Sequence, residues 1–244
     1  MMNSMKLMAA LTLTVVMMFV VGCKPEDGSN NGGGANGGNT YNGHEYVNLG
    51  LPSGTLWATC NVGADTPEGK GDFFAWGETK SKTTYNWSTY KYCNGGEGLN
   101  TLTKYCNDSN FGYNGFTDTL TVLQLMDDDV ATANWGSGWC MPTTEQWREL
   151  YLNTTHTWVE QNGVNGRLFT ASNGNSLFLP AVGYRWDDVH NSAGTIGYYW
   201  SSSLDTLSPY NARNFNFSSG GCYLFDYPRS DGRSVRPVRS SSQD

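Results

Sequence analysis

The sequence predicts an α+β domain with modest helix content, in which about two helices accompany many short strands and long loops. Aromatic residues make up 14% of the chain and charged residues only 15%, and there are 30 glycines. A helical bundle would need long amphipathic segments with few glycines. This composition is instead typical of a loop-rich domain with many aromatic side chains. Most apolar runs are also short and are bounded by Gly, Pro, Ser or Asn.

The predicted strands are short and lie on both sides of the predicted helices. Residues 46–51 and 56–62 are strand-like runs separated by the turn Pro52-Ser53-Gly54. Further strand-like runs occupy residues 72–77, 176–181, 197–201, 212–217 and 233–238. Between residues 183 and 232 we expect loops to dominate.

Two segments favour helices. Residues 143–151 are the clearer one, because Thr143 is placed to cap the N-terminus and Gln146 stands three residues on, as a capping box requires. The apolar face of this helix would comprise Trp147, Leu150 and Tyr151. Residues 121–134 form the other segment, either as one helix or as a shorter helix capped within the run Asp127-Asp128-Asp129.

The N-terminal segment has the pattern of a lipoprotein signal peptide. Lys6 precedes an apolar run over residues 7–21, which is too short to span a hydrocarbon core about 30 Å thick and fits a signal peptide. The sequence Val20-Val21-Gly22-Cys23 resembles the lipobox of bacterial lipoproteins. We therefore expect residues 1–22 to be a signal peptide and Cys23 to carry the lipid. An ordinary secretory signal and a short membrane anchor are the alternatives.

Residues 23–43 are predicted to form a flexible tether, since residues 28–42 are nearly all Gly, Asn and Ser. In this arrangement the lipid is followed by a tether and then by a globular domain over residues 44–240. It is typical of a protein displayed on a membrane. The run Lys24-Pro25-Glu26-Asp27 resembles signals that send lipoproteins to the outer membrane, facing the cell exterior. The net charge of −7 argues against a nucleic-acid partner.

The chain has six cysteines. Outside the cytoplasm, Cys93 and Cys106 are the preferred disulfide pair because they bracket one Gly-rich loop. Reduced and mostly buried thiols are the alternative for all the cysteines other than Cys23: Cys60, Cys93, Cys106, Cys140 and Cys222. No Cys/His spacing indicates a zinc site.

Several short motifs, in one order, resemble the Fibrobacter succinogenes major paralogous domain (FISUMP) family. They are residues 44–64 (HEYVNLGLPSGTLWATCNVGA), 74–78 (FAWGE), 134–136 (NWG), 139–143 (WCMPT), 178–183 (FLPAVG), 197–203 (GYYWSSS) and 234–238 (SVRPV). Together they cover residues 44–238. Cys140 is a departure, since the family usually has Arg there.

This resemblance implies a C-type-lectin-like fold with small twisted antiparallel sheets. In such domains the first and last strands pair, and long loops present a ligand-facing surface. The fold by itself does not establish sugar binding.

The C-terminal region has an unusual amino-acid composition. Residues 163–241 contain no Lys, Glu, Gln or Met. Codons for many residues there can be reached from an Asn codon by replacing adenines alone. In this respect the region resembles the variable protein of a diversity-generating retroelement. Because Trp cannot be reached in this way, the interpretation requires Trp186 and Trp200 to be invariant framework residues. An undiversified domain is the alternative. In either case Tyr, Ser, Asn and Asp are typical of binding surfaces. The predicted ligand-binding residues are Asp187, Asp188, Val189, His190, Ile196, Tyr198, Asp205, Leu207, Tyr210, Arg213, Cys222, Tyr223, Leu224, Asp226, Tyr227, Ser230 and Asp231.

No constellation indicates catalysis. The histidines, His44, His156 and His190, lie near no recognisable nucleophile motif, and the Asp127-Asp128-Asp129 run lacks the Gly and distal Glu of an EF-hand, so a solvated helix start is preferred to calcium. Residues 139–147 also resemble formylglycine-generating enzymes, but only Cys222 stands where those enzymes use a cysteine pair.

We therefore predict a non-enzymatic surface lipoprotein, with no metal or cofactor, that binds a protein or glycan ligand through its C-terminal loops. The alternatives are an oxidoreductase-like relative of the formylglycine-generating group and a structural or adhesive subunit of a surface assembly.

Overall fold

The computed structural model describes residues 39–241. Within them β-structure accounts for 38% and helix for 11% of the residues, and the strands form several small antiparallel sheets. The predicted α+β class, and the C-type-lectin-like architecture attached to it, is therefore corrected to a mostly β fold with three short α-helices. The prediction failed because three of the five eight-residue strands, over residues 154–161, 164–171 and 221–228, lie in segments that were not predicted as strands.

The elements follow in chain order. The strands are β1 (Thr40–Tyr41), β2 (His44–Asn48), β3 (Thr55–Ala58), β4 (Thr154–Gln161), β5 (Val164–Ala171), β6 (Ser176–Pro180), β7 (Tyr184–Trp186), β8 (Val189–Asn191), β9 (Gly197–Leu204), β10 (Asn211–Ser218), β11 (Gly221–Pro228) and β12 (Val238–Ser240). The helices are α1 (Leu125–Asp128), α2 (Val130–Trp135) and α3 (Thr144–Leu152).

Four sheets make up the domain. Their strand orders are β1-β2-β3-β12, β11-β10-β9, β4-β5-β6 and β7-β8. The two ends of the described chain meet in the first sheet, where Val238 of β12 lies opposite Trp57 of β3. The last strand thus pairs with β3, which lies between it and β2.

Three strand predictions need correction. Residues 72–77 form no strand, and Phe74 makes only an isolated bridge with Arg233. The C-terminal strand is confined to β12, although residues 233–238 were expected to be extended together. The region between residues 183 and 232, where loops were expected to dominate around two predicted strands, contains the five strands β7 to β11. Strand β1 falls inside the segment predicted as tether.

Helix α3 forms as predicted. Thr143 is its N-cap, and the capping box with Gln146 is complete. Trp147 and Leu150 are buried, and Trp147 stacks on Phe215 of β10 with ring centroids 4.8 Å apart. This contact ties the helix to one face of the β9–β10–β11 sheet.

The three-aspartate run ends one short helix and caps the next. Asp129 accepts hydrogen bonds from the backbone N–H groups of Ala131 and Thr132 and is the N-cap of α2. Asp128 and Asp129 are both buried, so the predicted solvated helix start is wrong for these two residues. Asp127 alone is exposed.

The preferred disulfide does not form. Cys60, Cys93, Cys106 and Cys222 are free thiols. The Sγ of Cys93 donates to the carbonyl of Gly96 at 3.0 Å, and the Sγ of Cys106 donates to that of Asp108 at 3.1 Å.

The predicted signal peptide, Cys23 and most of the tether lie outside the described residues. Within residues 39–241, none of the helices has the length and apolar character needed to cross a membrane.

Candidate binding surface

The predicted ligand-binding residues are spread over strands, turns and the interior. Asp188, Val189, Leu207 and Tyr223 are exposed, whereas Asp205, Ser230 and Asp231 are buried. The others are half-buried: Asp187, His190, Ile196, Tyr198, Tyr210, Arg213, Cys222, Leu224, Asp226 and Tyr227. Three of the predicted residues are thus interior, and most of the others lie on strands.

Strand β11 divides its predicted residues between two faces. Side chains alternate along a strand, so Tyr223 and Tyr227 share one face while Cys222, Leu224 and Asp226 share the other. The residue between the two tyrosines on their face is Phe225, which was not predicted. Tyr223 and Phe225 are 50% and 51% exposed.

Five aromatic rings form one continuous chain of contacts, called here the aromatic row. From the β7 side to the turn end of β11, they are Tyr184, Tyr198, Tyr227, Phe225 and Tyr223. Successive ring centroids lie 5.0, 5.7, 6.4 and 5.9 Å apart. The row therefore crosses from β7 over β9 to β11 on one side of the molecule.

The buried guanidinium of Arg233 packs against the inner end of the aromatic row. Its Cζ lies 4.0 Å from the ring centroid of Tyr227, 4.8 Å from that of Tyr198 and 5.4 Å from that of Tyr184. Its Nη2 donates to Oδ2 of Asp231 at 2.9 Å. Burial lowers the pKa of Arg233 and raises the pKa of Asp231, while this ion pair opposes both shifts. Asp231 thus supports the row from the interior.

The β7–β8 hairpin exposes a second apolar surface, in addition to the aromatic row. Trp186 and Val189 are 57% and 50% exposed and lie opposite each other in the hairpin. The backbone of Asp187 exchanges hydrogen bonds with Tyr85 at 2.8 and 2.9 Å, and its Oδ1 accepts from Nδ2 of Asn86 at 2.6 Å. The side chain of Asp187 is therefore engaged in holding the hairpin in place.

A small apolar groove lies on the opposite face of β11. Its volume is about 220 Å³, and it runs between α3 and the sheet. The lining residues are Arg148, Tyr151, Leu152, Phe215, Cys222, Tyr223 and Leu224. Burial raises the pKa of Cys222 to about 11, so its thiol is protonated at neutral pH.

Two predicted aspartates are neutralised by one arginine near the far end of β11. Nη1 of Arg213 lies 2.7 Å from Oδ1 of Asp226, and Nη2 lies 3.5 Å from Oδ1 of Asp205. These three side chains form a structural ion cluster across β10 and β11.

Each of the three histidines contacts a different neighbour, and the three do not form one site. His44 stacks on Trp135 with centroids 3.7 Å apart, Nδ1 of His156 lies 2.8 Å from Nη1 of Arg167, and Nε2 of His190 lies 2.6 Å from the carbonyl of Val182. In the described part of the chain, no group of three or more His, Cys, Asp or Glu residues is placed to hold a metal.

Sequence reasoning missed three surface residues: Tyr184, Trp186 and Phe225. The signal for Phe225 was present, since the alternation Tyr223, Phe225, Tyr227 after the Ser219-Gly220 turn is typical of a half-exposed hairpin strand. Trp186 was assigned to the framework, and its exposure makes it part of the surface. Trp200, the other framework residue, is buried as expected.

No protein-family model, no curated protein and no solved structure matches this chain.

Proposed function

We propose that this chain is a lipid-anchored surface protein that binds a protein ligand through the aromatic row. The observation that carries the proposal is the row itself, in which five rings share one side of the molecule above the buried Arg233. Exposed apolar groups that cluster in this way are typical of interaction sites.

Tyrosine suits such a surface for physical reasons. Its ring supplies contact area at the cost of only two side-chain torsions, and its hydroxyl supplies a hydrogen bond. Here the rings also support each other, because each contacts its neighbour in the row. The inner tyrosines are held further by Arg233, so binding needs little additional ordering of side chains.

The ring geometry favours a protein over a glycan. Tyr223 and Phe225 stack on each other at an interplanar angle of 28°. The other contacts are edge-to-face, at 79°, 88° and 66° along the row. Many ring faces are therefore covered by neighbouring rings, whereas a sugar ring stacks on an open aromatic face. Ring edges and hydroxyl groups instead suit the mixed apolar and polar surface of a protein.

The oxidoreductase alternative draws no support from Cys222. A thiol whose pKa burial raises to about 11 is a poor nucleophile and a poor metal ligand at neutral pH. The charge of Arg167 and its hydrogen bond lower the pKa of Cys222, but they do not offset the effect of burial.

The anchor and location rest on the N-terminal sequence. The lipobox-like Val20-Val21-Gly22-Cys23 and the Gly/Asn-rich residues 28–42 support a lipid on Cys23, a tether and display from the outer membrane toward the cell exterior. The ordered motifs that resemble the FISUMP family support one domain over residues 44–238. Adenine-directed diversification would act on a surface already built for binding, with Tyr198, Tyr223 and Tyr227 as its variable positions within the row.

The test compares two classes of probe on the full chain. A phage-displayed library of genomic protein fragments and an array of soluble polysaccharides are each offered to the wild type, to the double variant Tyr223→Ser/Phe225→Ser and to Leu207→Ser. A central aromatic residue at an interface contributes about 2 kcal/mol or more, which corresponds to about 30-fold in affinity. Because such contributions are not additive, we expect the double variant to weaken binding of the selected protein fragments by at least this factor.

Leu207 is the matched control, because it was also predicted from the sequence to bind the ligand and is 89% exposed, but it lies outside the row. Its variant should retain wild-type affinity. The proposal fails if the double variant binds every selected fragment as the wild type does. It also fails if only polysaccharides are retained and their binding depends on the row.

A further inference from the structure

Strand β11 is an open edge of its sheet. It pairs with β10 over its whole length, from Asn211 opposite Pro228 to Ser218 opposite Gly221, with no register shift. Among residues 39–241 no other strand lies beside it. The opposite edge, β9, is covered, because it makes bridges to Val122, Gly183 and Ser234.

The hydrogen-bonding pattern determines which backbone groups face outward. The N–H of Arg229 donates to the carbonyl of Tyr210 at 3.0 Å. The same alternation places residues 221, 223, 225 and 227 in hydrogen-bonded pairs with β10. The N–H and C=O groups of Cys222, Leu224 and Asp226 are therefore directed away from β10, along the free edge.

This edge lacks the usual protection against pairing. Natural edge strands commonly carry lysine, an unpaired charge, an internal proline or a bulge. Strand β11 has no lysine and no bulge, and its proline, Pro228, is its last residue. Strand β4, an eight-residue strand at the edge of another sheet, carries the exposed charge of Glu160.

The charge pattern allows β11 to pair with itself. Between Asn214 and Pro228 the single charged residue is Asp226, and Arg213 neutralises it at 2.7 Å. Two antiparallel copies centred on Leu224 would place Asp226 of one opposite Cys222 of the other, with no like charges facing each other. The chain as a whole is acidic, with a net charge of −7, so self-association requires a contact region without unpaired negative charge.

We propose that β11 pairs antiparallel with β11 of a second copy of this chain, with Leu224 close to the twofold axis. The two three-stranded sheets would become one six-stranded sheet, and the interface would be isologous. The two aromatic rows would adjoin on one face, while on the other each α3 groove would face the β11 of its partner. This interface is independent of the proposed ligand, since edge pairing leaves the faces of the sheet open.

The contact is expected to be weak for free molecules. A single strand edge with its flanking side chains belongs to the small interfaces, below about 1,200 Å² in total. Tethering on a membrane raises the effective concentration of such partners, so a lipid on Cys23 would favour the dimer.

The test is sedimentation equilibrium of the full chain in density-matched non-ionic detergent, over a range of protein-to-detergent ratios. The wild type should show a reversible monomer–dimer equilibrium. Leu224→Pro removes an outward N–H, which an edge strand tolerates, and Leu224→Lys places like charges across the axis. Each should raise the dimer dissociation constant at least tenfold. Leu99→Lys, at an exposed leucine outside β11, should not.

Cross-linking provides a measurement that does not depend on these variants. In a Cys222→Ser background, Leu224→Cys should form an intermolecular disulfide on mild oxidation, and Leu99→Cys in the same background should not. The proposal is overturned if the wild type stays monomeric at every ratio, or if folded Leu224 variants dimerise like the wild type. Equal cross-linking at positions 224 and 99 would overturn it as well.

Discussion

Replacing Asp128 by Asn removes the charge at the centre of a buried polar cluster. The Asp128 side chain is 1% exposed. Its Oδ2 accepts from Nζ of Lys104 at 2.6 Å and from the hydroxyl of Tyr105 at 2.5 Å. Its Oδ1 accepts from the hydroxyl of Tyr92 and lies 3.3 Å from Nζ of Lys91.

The expected cost follows from this arrangement. Removing one partner of a buried ion pair typically costs about 3–5 kcal/mol. Lys104 and Lys91 are 24% and 49% exposed, so both ammonium groups can recover water contacts, which favours the lower end. We expect Asp128→Asn to lower the free energy of unfolding by about 3 kcal/mol, and the melting temperature by roughly 6–12 °C for a domain of this size.

The same substitution should change the pH dependence. Burial pushes the pKa of Asp128 up, but the hydrogen bonds from Lys104, Tyr105 and Tyr92 together hold it below its ordinary value. A depressed carboxyl pKa stabilises the fold above the unfolded pKa of about 3.9, and this contribution is lost as the pH falls through the folded pKa. The Asn variant should lack this acid-dependent loss.

Urea unfolding at pH 7 and across the acid range measures both effects. Asp127→Asn is the matched control, because Asp127 is the exposed neighbour of Asp128, and its effect should stay within about 0.5 kcal/mol. A loss below about 1 kcal/mol for Asp128→Asn would mean that desolvation of the carboxylate offsets the attraction within the cluster, contrary to this prediction.

Three further predictions concern single side chains. Thr143→Ala should lower the free energy of unfolding by about 1 kcal/mol in urea titrations, because it removes the side-chain oxygen that accepts from the N–H of Gln146 at 3.2 Å; no loss would mean that packing alone holds α3. Burial raises the pKa of Asp129 to about 6, so the folded state holds this proton more tightly than the unfolded chain. The contribution of Asp129 to the free energy of unfolding should therefore fall by about 3 kcal/mol as the pH rises from about 4 to about 6. The difference in free energy of unfolding between the wild type and Asp129→Asn should shrink by that amount. A difference that stays constant with pH would contradict this prediction. Alkylation at pH 8, followed by mass spectrometry, should modify Cys222 far more slowly than a free cysteine in an unstructured peptide, because burial raises its pKa to about 11; equal rates would contradict the burial.

Local signals in the sequence predicted local structure well. Thr143 and Gln146 determine the start of α3 through contacts within four residues, and they could be identified without any tertiary information. The alternation in residues 212–217 likewise predicted most of β10. The capping role expected within residues 127–129 was also found, at Asp129.

Other segments could not be assigned in this way. Residues 72–77 have the pattern of a strand, yet Phe74 makes only one bridge because no strand lies alongside for it to pair with. Residues 221–228 have the Gly, Tyr and Asp content of a loop, yet they form β11 because β10 supplies hydrogen-bonding partners along the whole segment. A strand forms only where another strand pairs with it, and the local sequence does not identify that partner.

The composition of residues 163–241 by itself indicated a tyrosine-bearing surface without long charged side chains. Which of these residues form that surface depends on how the strands pair and pack. The register of β11 sends Tyr223 and Tyr227 to the aromatic row and sends Cys222 and Leu224 to the groove. The burial of Arg233 and Asp231 converts a predicted contact residue into an internal support. The physical reason is that side chains alternate with a period of two along a strand, so a residue's face is undefined until its pairing partner is known.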